Sequence, residues 1–102
     1  MNDQGTTAGP GALRRKAKIR NKLGMHARAA VKFVQLAARF ESEIFVEKEG
    51  EQVNGKSIMG LLTLVAAHGM EIEILAEGAD ASEAVDQLFA LVDSGFGEGV
   101  AD

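Results

Sequence analysis

Between Lys16 and Gly95 the chain switches between two hydrophobic periods, and each switch marks a new element. Lys16 to Arg20 alternates, with Ala17 and Ile19 on one side, and reads as a short strand. From Ala27 to Phe40 the period lengthens to that of a helix. Ala30, Phe33, Val34, Ala37 and Phe40 share one face, and Arg28, Lys32, Gln35 and Arg39 the opposite one. The spacing predicts a helix from Ala27 ending near Arg39 or Phe40. Glu43 to Lys48 alternates again, with Ile44 and Val46 inward and Phe45 and Glu47 outward. Lys48-Glu-Gly-Glu51 is a turn pattern in which Gly50 can take a positive φ, and Gln52 to Asn54 forms a weak third strand.

Ser57 is placed to cap a short second helix, along which Ile58, Leu61, Leu62 and Val65 recur at helical spacing. His68-Gly69 marks a loop. Met70 to Glu77 alternates with Ile72, Ile74 and Ala76 on one face and Glu71, Glu73 and Leu75 on the other. A last helix opens at Asp80, which with Glu83 makes an Asp version of the capping box. Ala84, Val85, Leu88, Leu91 and Val92 form its stripe, and Gly95 stops it. The order is β-α-β-β-α-β-α. Strands with one apolar face each call for a four-stranded antiparallel sheet with the three helices on that face, an open-faced α+β sandwich. Ferredoxin-like folds share the βαββαβ order, so the order alone leaves function open.

At 102 residues with 46% hydrophobic positions, the chain fits one small domain with its own core. Residues 16–97 form that domain. Residues 1–15, polar and Gly-rich around the single Pro10, read as a disordered N-terminal tail, and residues 98–102 as a short C-terminal tail. The absence of Cys excludes disulfides and thiolate chemistry. No apolar run approaches a membrane span, and the expected setting is the cytoplasm, without membrane insertion.

The net charge of −4 is unevenly spread. Seven of the eleven Lys and Arg lie between Arg14 and Arg28, and fourteen of the fifteen acids follow Phe40. A basic stretch folded beside His26 would give that residue positive surroundings, suited to a phosphoryl group or an acidic partner. Nucleic acid is not indicated, because the chain is acidic and has neither Tyr nor Trp.

His26 is one of two histidines and stands where the first strand passes into the first helix. Free backbone N–H groups and the helix dipole favour an anion there. An imidazole at that point can carry a phosphoryl group while the amides and Arg28 hold its oxygens; the local pattern by itself reads first as an ordinary polar residue near a cap. His68 has no acid or second histidine near it in sequence and reads as structural or idle. Glu47, Glu49 and Glu51 read as a solubilising hairpin, not a metal site.

Three segments carry a resemblance to a known family. Leu23-Gly-Met-His-Ala-Arg-Ala-Ala30 is similar to the active-site loop Gly-Leu-His-x-Arg-Pro-Ala of the histidine-containing phosphocarrier (HPr) family of the bacterial phosphoenolpyruvate-dependent phosphotransferase system. Asn54-Gly-Lys-Ser-Ile-Met-Gly-Leu61-Leu62 resembles the family's regulatory serine segment, and Ile72-Glu-Ile with Ala76-Glu-Gly78 its last strand and the turn after it. The resemblance covers about residues 16 to 96. Ala90 to Phe96 looks more like the nitrogen-related branch than the sugar-transport branch.

The resemblance implies that His26 is the phosphorylated histidine, through Nδ1, that Arg28 is the active-site arginine, and that Ser57 is a regulatory phosphorylation site. From spacing alone Ser57 reads as a plain helix cap. The implied docking surface takes in Ala27, Val31, Lys32, Ile58, Met59 and Leu62, although the last three also suit a core. The implied partners are enzyme I as donor, enzyme IIA-type proteins as acceptors, and a serine kinase or phosphorylase acting on Ser57. The implied protein is a monomeric carrier, not an enzyme, with no metal or cofactor. Where the family has Pro after the arginine this chain has Ala29, which keeps helix propensity and loses a preset φ. The rival reading is a non-catalytic regulatory or ligand-binding module of ferredoxin-like order in which His26 is not phosphorylated.

Overall fold

The computed structural model describes residues 7–101; residues 1–6 of the N-terminal tail and residue 102 lie outside the described residues. The elements run β1 (Leu13–Lys18), α1 (Ala27–Ala37), β2 (Glu43–Lys48), β3 (Glu51–Asn54), α2 (Ile58–Thr63), β4 (Glu71–Glu77) and α3 (Ala81–Asp93). The strands form one sheet in the order β1-β4-β2-β3, and every neighbouring pair is antiparallel. The sheet thus sets β4 and β2 at its centre, and three helices accompany it as the alternation requires.

The inner face carries Ala17, Ile44, Val46, Ile72, Ile74 and Ala76, all buried. They share one core cluster with Phe33 of α1, Leu61 of α2 and Leu88 of α3. Burying these faces is the main force that fixes the layers. The β2–β3 hairpin closes through Glu49 and Gly50, both at positive φ (53° and 85°), between the paired Lys48 and Glu51. Two positive φ values in a two-residue loop match the twist of the strands.

Several expectations are corrected. The first strand starts at Leu13, not Lys16, because pairing with Ala76 to Ile74 of β4 extends it beyond its own alternation. Phe45 and Leu75, assigned to the outer face, are only 1% and 0% exposed. They lie opposite each other on the two central strands. The chain before β1 crosses that face: Ala8 N–H donates to Gln52 Oε1 at 2.8 Å and Gly9 N–H to Glu77 Oε1 at 2.9 Å. These residues of the expected tail therefore act as a strap over Phe45 and Leu75.

Val65, expected in the core, is 70% exposed with φ 51°. Helix α2 stops at Thr63 with Leu64 as C-cap, so Val65 takes the left-handed position after the cap and leaves the helical period. Lys48 Nζ donates to the carbonyls of Leu64 (2.8 Å) and Val65 (3.3 Å) at that helix end. Asp80 precedes α3 but makes no side-chain cap bond. Its carboxylate accepts instead from Glu41 N–H, Ser42 N–H and Ser42 Oγ, three donors that outbid its own helix.

Three arginines of the basic stretch are engaged away from His26. Arg14 pairs with Glu73 (2.9 Å), Arg15 with Asp86 (3.4 Å) while lying over the Phe89 ring, and Arg20 with Asp93 (3.1 Å). Arg14 and Arg15 thus tie β1 to β4 and α3, and Arg20 ties the chain after β1 to the end of α3. Among the described residues no helix is long and apolar enough to cross a membrane.

Candidate functional site

His26 is the N-cap of α1, with extended backbone (φ −79°, ψ 178°). Its carbonyl accepts the first helical bond, from Ala30 N–H at 2.9 Å. The residue before it anchors the loop: Met25 is buried, and its N–H donates to Ala66 O at 2.8 Å. The loop is thereby stapled to the chain that follows α2. The ring itself is held at both nitrogens. Arg28 N–H donates to His26 Nδ1 at 3.2 Å, and Nε2 faces Glu98 Oε2 at 2.5 Å. An acceptor Nδ1 and a carboxylate at Nε2 select the tautomer with the proton on Nε2. The Nδ1 lone pair then points toward the free amides of α1, where negative charge is favoured.

Glu98 was assigned to the C-terminal tail, and the sequence reading missed it. After Asp93 the chain turns back, with positive φ at Gly95, Phe96, Gly97 and Gly99. Phe96 is fully buried and pins the turn to the core. Lys32 Nζ donates to Phe96 O at 2.9 Å. Buried Asn21 donates through Nδ2 to Gly24 O (2.8 Å) and to Glu98 Oε1 (3.0 Å). Burial alone would push the Glu98 carboxyl up, but bonds from Asn21 and His26 and the nearby Lys32 charge outweigh it and hold it below the ordinary carboxylate range. The acid is therefore ionised at neutral pH and faces an Nε2–H donor.

Arg28 is exposed, and its guanidinium bonds to no other described residue. Ala27 is exposed and Val31 half-buried on the same turn of α1. Lys32, expected at a docking rim, is half-buried and occupied by Phe96 O. Ser57 is the N-cap of α2, where its Oγ accepts from Gly60 N–H at 3.0 Å. Beside it Ile58 (37%) and Met59 (74%) are exposed, while Leu61 is fully buried. Of the short helix, then, Leu61 is core and Met59 is surface. A shallow groove next to His26 is lined by Leu23, Met25, Leu62, Val65, Ala66 and Ala67. Leu23 (65% exposed) and Val65 add apolar surface there that the spacing did not single out. His68 is exposed in its loop and makes no hydrogen bond or ion pair among the described residues.

A histidine at a helix mouth, beside an exposed arginine and an apolar rim, can chemically hold an anionic group at its Nδ1 face. The model of the family described as "PTS HPr component phosphorylation site" matches residues 13–94. The chain belongs to the HPr family. The HPr of Neisseria meningitidis serogroup A is 52% identical over 87 residues, covering 85% of this chain and 98% of that protein. The nitrogen-related NPr of Shewanella violacea is 43% identical over 86 residues, covering 84% and 94%. The crystal structure of HPr-C-His from Thermoanaerobacter tengcongensis superposes with a TM-score of 0.82 at 44% identity, covering 86% of this chain and 99% of that one. As an HPr-family protein the chain is a phosphocarrier, not an enzyme, and the reading as a ferredoxin-like regulatory module is not favoured. HPr membership implies phosphotransfer partners such as enzyme I and enzyme IIA proteins.

Proposed function

We propose that His26 accepts a phosphoryl group on Nδ1 from the phosphohistidine of enzyme I and passes it to an enzyme IIA-type acceptor. The observation that carries this reading is the pair of contacts on the ring: Nδ1 faces the Arg28 amide at 3.2 Å while Nε2 is held by Glu98. On acceptance the Nδ1 lone pair attacks phosphorus, and the donor's P–N bond breaks with its electron pair returning to the donor imidazole. On donation the acceptor nucleophile attacks phosphorus, and the Nδ1–P pair returns to His26. The first-turn amides of α1 and the Arg28 guanidinium stabilise the phosphoryl oxygens in flight. Stabilising the transferring group more than the resting phosphoform keeps the carrier from becoming a trap.

Docking uses Ala27, Val31 and the exposed part of Ile58, Met59 and Leu62, with Leu23 and Val65 extending the apolar centre. Arg28 supplies basic charge, and Lys32 serves mainly by holding the C-terminal turn. The carrier acts as a monomer. The setting is the cytoplasm, and no metal or cofactor takes part. Phosphorylation of Ser57 by a serine kinase, reversed by a phosphorylase, would place roughly two negative charges beside Met59 and so act as a brake on docking. The test is His26→Ala, incubated with phosphoenolpyruvate and enzyme I. It should keep the fold, since His26 lies off the core stripe, with a small loss of stability from the missing cap and Glu98 contact, and should take up no phosphate. Full phosphorylation of that variant would overturn the assignment.

A further inference from the structure

We propose that Glu98 is the positioning residue of this carrier, holding the Nε2 proton of His26 through both halves of the transfer; this rests on His26 being the residue that bears phosphate. The turn from Gly95 to Gly99 brings it there. Four positive φ values in five residues fold the chain back on itself, and three of them fall on glycine, which takes them without strain. A Cβ on Gly95 would lie 2.3 Å from Gly99 O, so the turn closes more tightly than any other residue type there would allow. Phe96 accepts the remaining left-handed position, being fully buried, and Lys32 Nζ fastens its carbonyl. Ala101 N–H donates to Arg20 O at 2.8 Å and secures the segment beyond Glu98.

The carboxylate is then aimed from two sides. Asn21, fully buried, fixes Oε1 at 3.0 Å, which leaves Oε2 for His26 Nε2 at 2.5 Å. The two facing side chains are 23% and 20% exposed, so the bond lies at the surface but is partly sheltered from water. The Glu98 bond is short and charge-assisted, whereas the Arg28 amide reaches Nδ1 at 3.2 Å. Glu98 is therefore the stronger of the two restraints on the tautomer.

Its chemistry serves both directions. When Nδ1 bonds to phosphorus, the ring, still protonated on Nε2, becomes cationic, and a carboxylate on Nε2 stabilises that charge as it develops. When the phosphoryl group leaves, the cationic ring is the better leaving group, and the pair from the Nδ1–P bond restores a neutral imidazole with Nε2–H intact. No proton has to be supplied or removed in either half.

The experiment compares wild type, Glu98→Ala and Glu98→Gln in the full chain. Ring ¹⁵N spectra of the unphosphorylated proteins report the tautomer, and quench-flow with catalytic enzyme I and phosphoenolpyruvate reports the rate of phosphoryl acceptance. In wild type Nε2 should be the protonated nitrogen. Glu98→Ala should show mixed tautomers and accept phosphate roughly tenfold more slowly. Glu98→Gln, whose amide oxygen still accepts from Nε2–H, should recover the wild-type tautomer and most of the rate. An unchanged ring spectrum in Glu98→Ala overturns the proposal, whether or not the rate falls. A wild-type protein that takes no phosphate on His26 would instead sink the phosphocarrier reading, while the ring spectra would still show whether Glu98 holds Nε2.

Discussion

Ser42 Oγ donates to Asp80 Oδ1 at 2.5 Å across 38 residues of sequence. The same carboxylate accepts the N–H groups of Ser42 and Glu41, both at 2.9 Å. One acid at the mouth of α3 thereby closes the loop between α1 and β2, and Ser42 is itself buried. The bond fastens the chain just beyond the end of the β2–β4 pairing, where Glu43 lies opposite Glu77.

Asp80 should make stability sensitive to acid. The Ser42 hydroxyl first, then the Glu41 amide, hold its carboxyl below the ordinary carboxylate range. A carboxyl lowered in the folded state contributes stability that is fully present above its unfolded range and is lost as pH falls through the folded value. Glu98 is lowered in the same direction and adds to the same slope. Asp80→Asn should lower the thermal midpoint at neutral pH and flatten its decline in acid, measured as thermal midpoint against pH. A decline as steep in Asp80→Asn as in wild type would assign the acid sensitivity elsewhere.

Val65 offers the opposite sign. It is β-branched, sits at φ 51° and is 70% exposed, so it bears left-handed strain with little packing in return. Val65→Gly should stabilise the fold by about 1 kcal/mol in urea unfolding with unchanged slope. The same change removes apolar surface from the groove beside His26, so phosphoryl acceptance from enzyme I should slow while the fold gains. Stability at or below wild type would show that Val65 packs more than its exposure implies.

The order of all seven elements was legible, because burial on one face writes a period of two into strands and about 3.6 into helices. What was not legible came from contacts distant in sequence. Phe45 and Leu75 fit a solvent-facing alternation until a strap from residues 8 and 9 covers them. Asp80 fits a capping box until the Glu41–Ser42 loop supplies better donors. At the site, His26, Arg28 and Ser57 carried local signals: a strand-to-helix junction, a basic helix face and a cap. Glu98 carried none, because its role depends on how a glycine-rich turn folds back. The density of glycine from Gly95 to Gly99 was the signal available, since runs of that kind permit reversals that other residues forbid.

Met59→Glu should separate docking from folding. Met59 is 74% exposed, so the substitution should change stability by less than about 0.5 kcal/mol. It sets a negative charge where an acidic donor is expected, so enzyme I should phosphorylate the variant roughly tenfold more slowly at low salt. Added salt should narrow that difference through the association rate. Loss of the folded state would place Met59 in the core and remove it from the docking surface.

Ser57 should show two separable roles. Ser57→Ala loses the bond from Gly60 N–H and should cost about 1 kcal/mol in urea unfolding while transfer proceeds normally. Ser57→Asp should remain folded, since a carboxylate still suits a helix cap, but should accept phosphate more slowly than Ser57→Ala at the same ionic strength. Equal rates for Ser57→Asp and wild type would leave Ser57 as a helix cap and nothing more.

The central claim is that Nδ1 of His26 bears the phosphoryl group. Uniformly ¹⁵N-labelled protein, phosphorylated with enzyme I and phosphoenolpyruvate, allows the bonded nitrogen to be read from one-bond ³¹P–¹⁵N coupling. The account predicts a single acid-labile phosphate coupled to Nδ1 of His26, with Nε2 still carrying its proton against Glu98. Coupling to Nε2, or a phosphate on any other residue under these conditions, would contradict it.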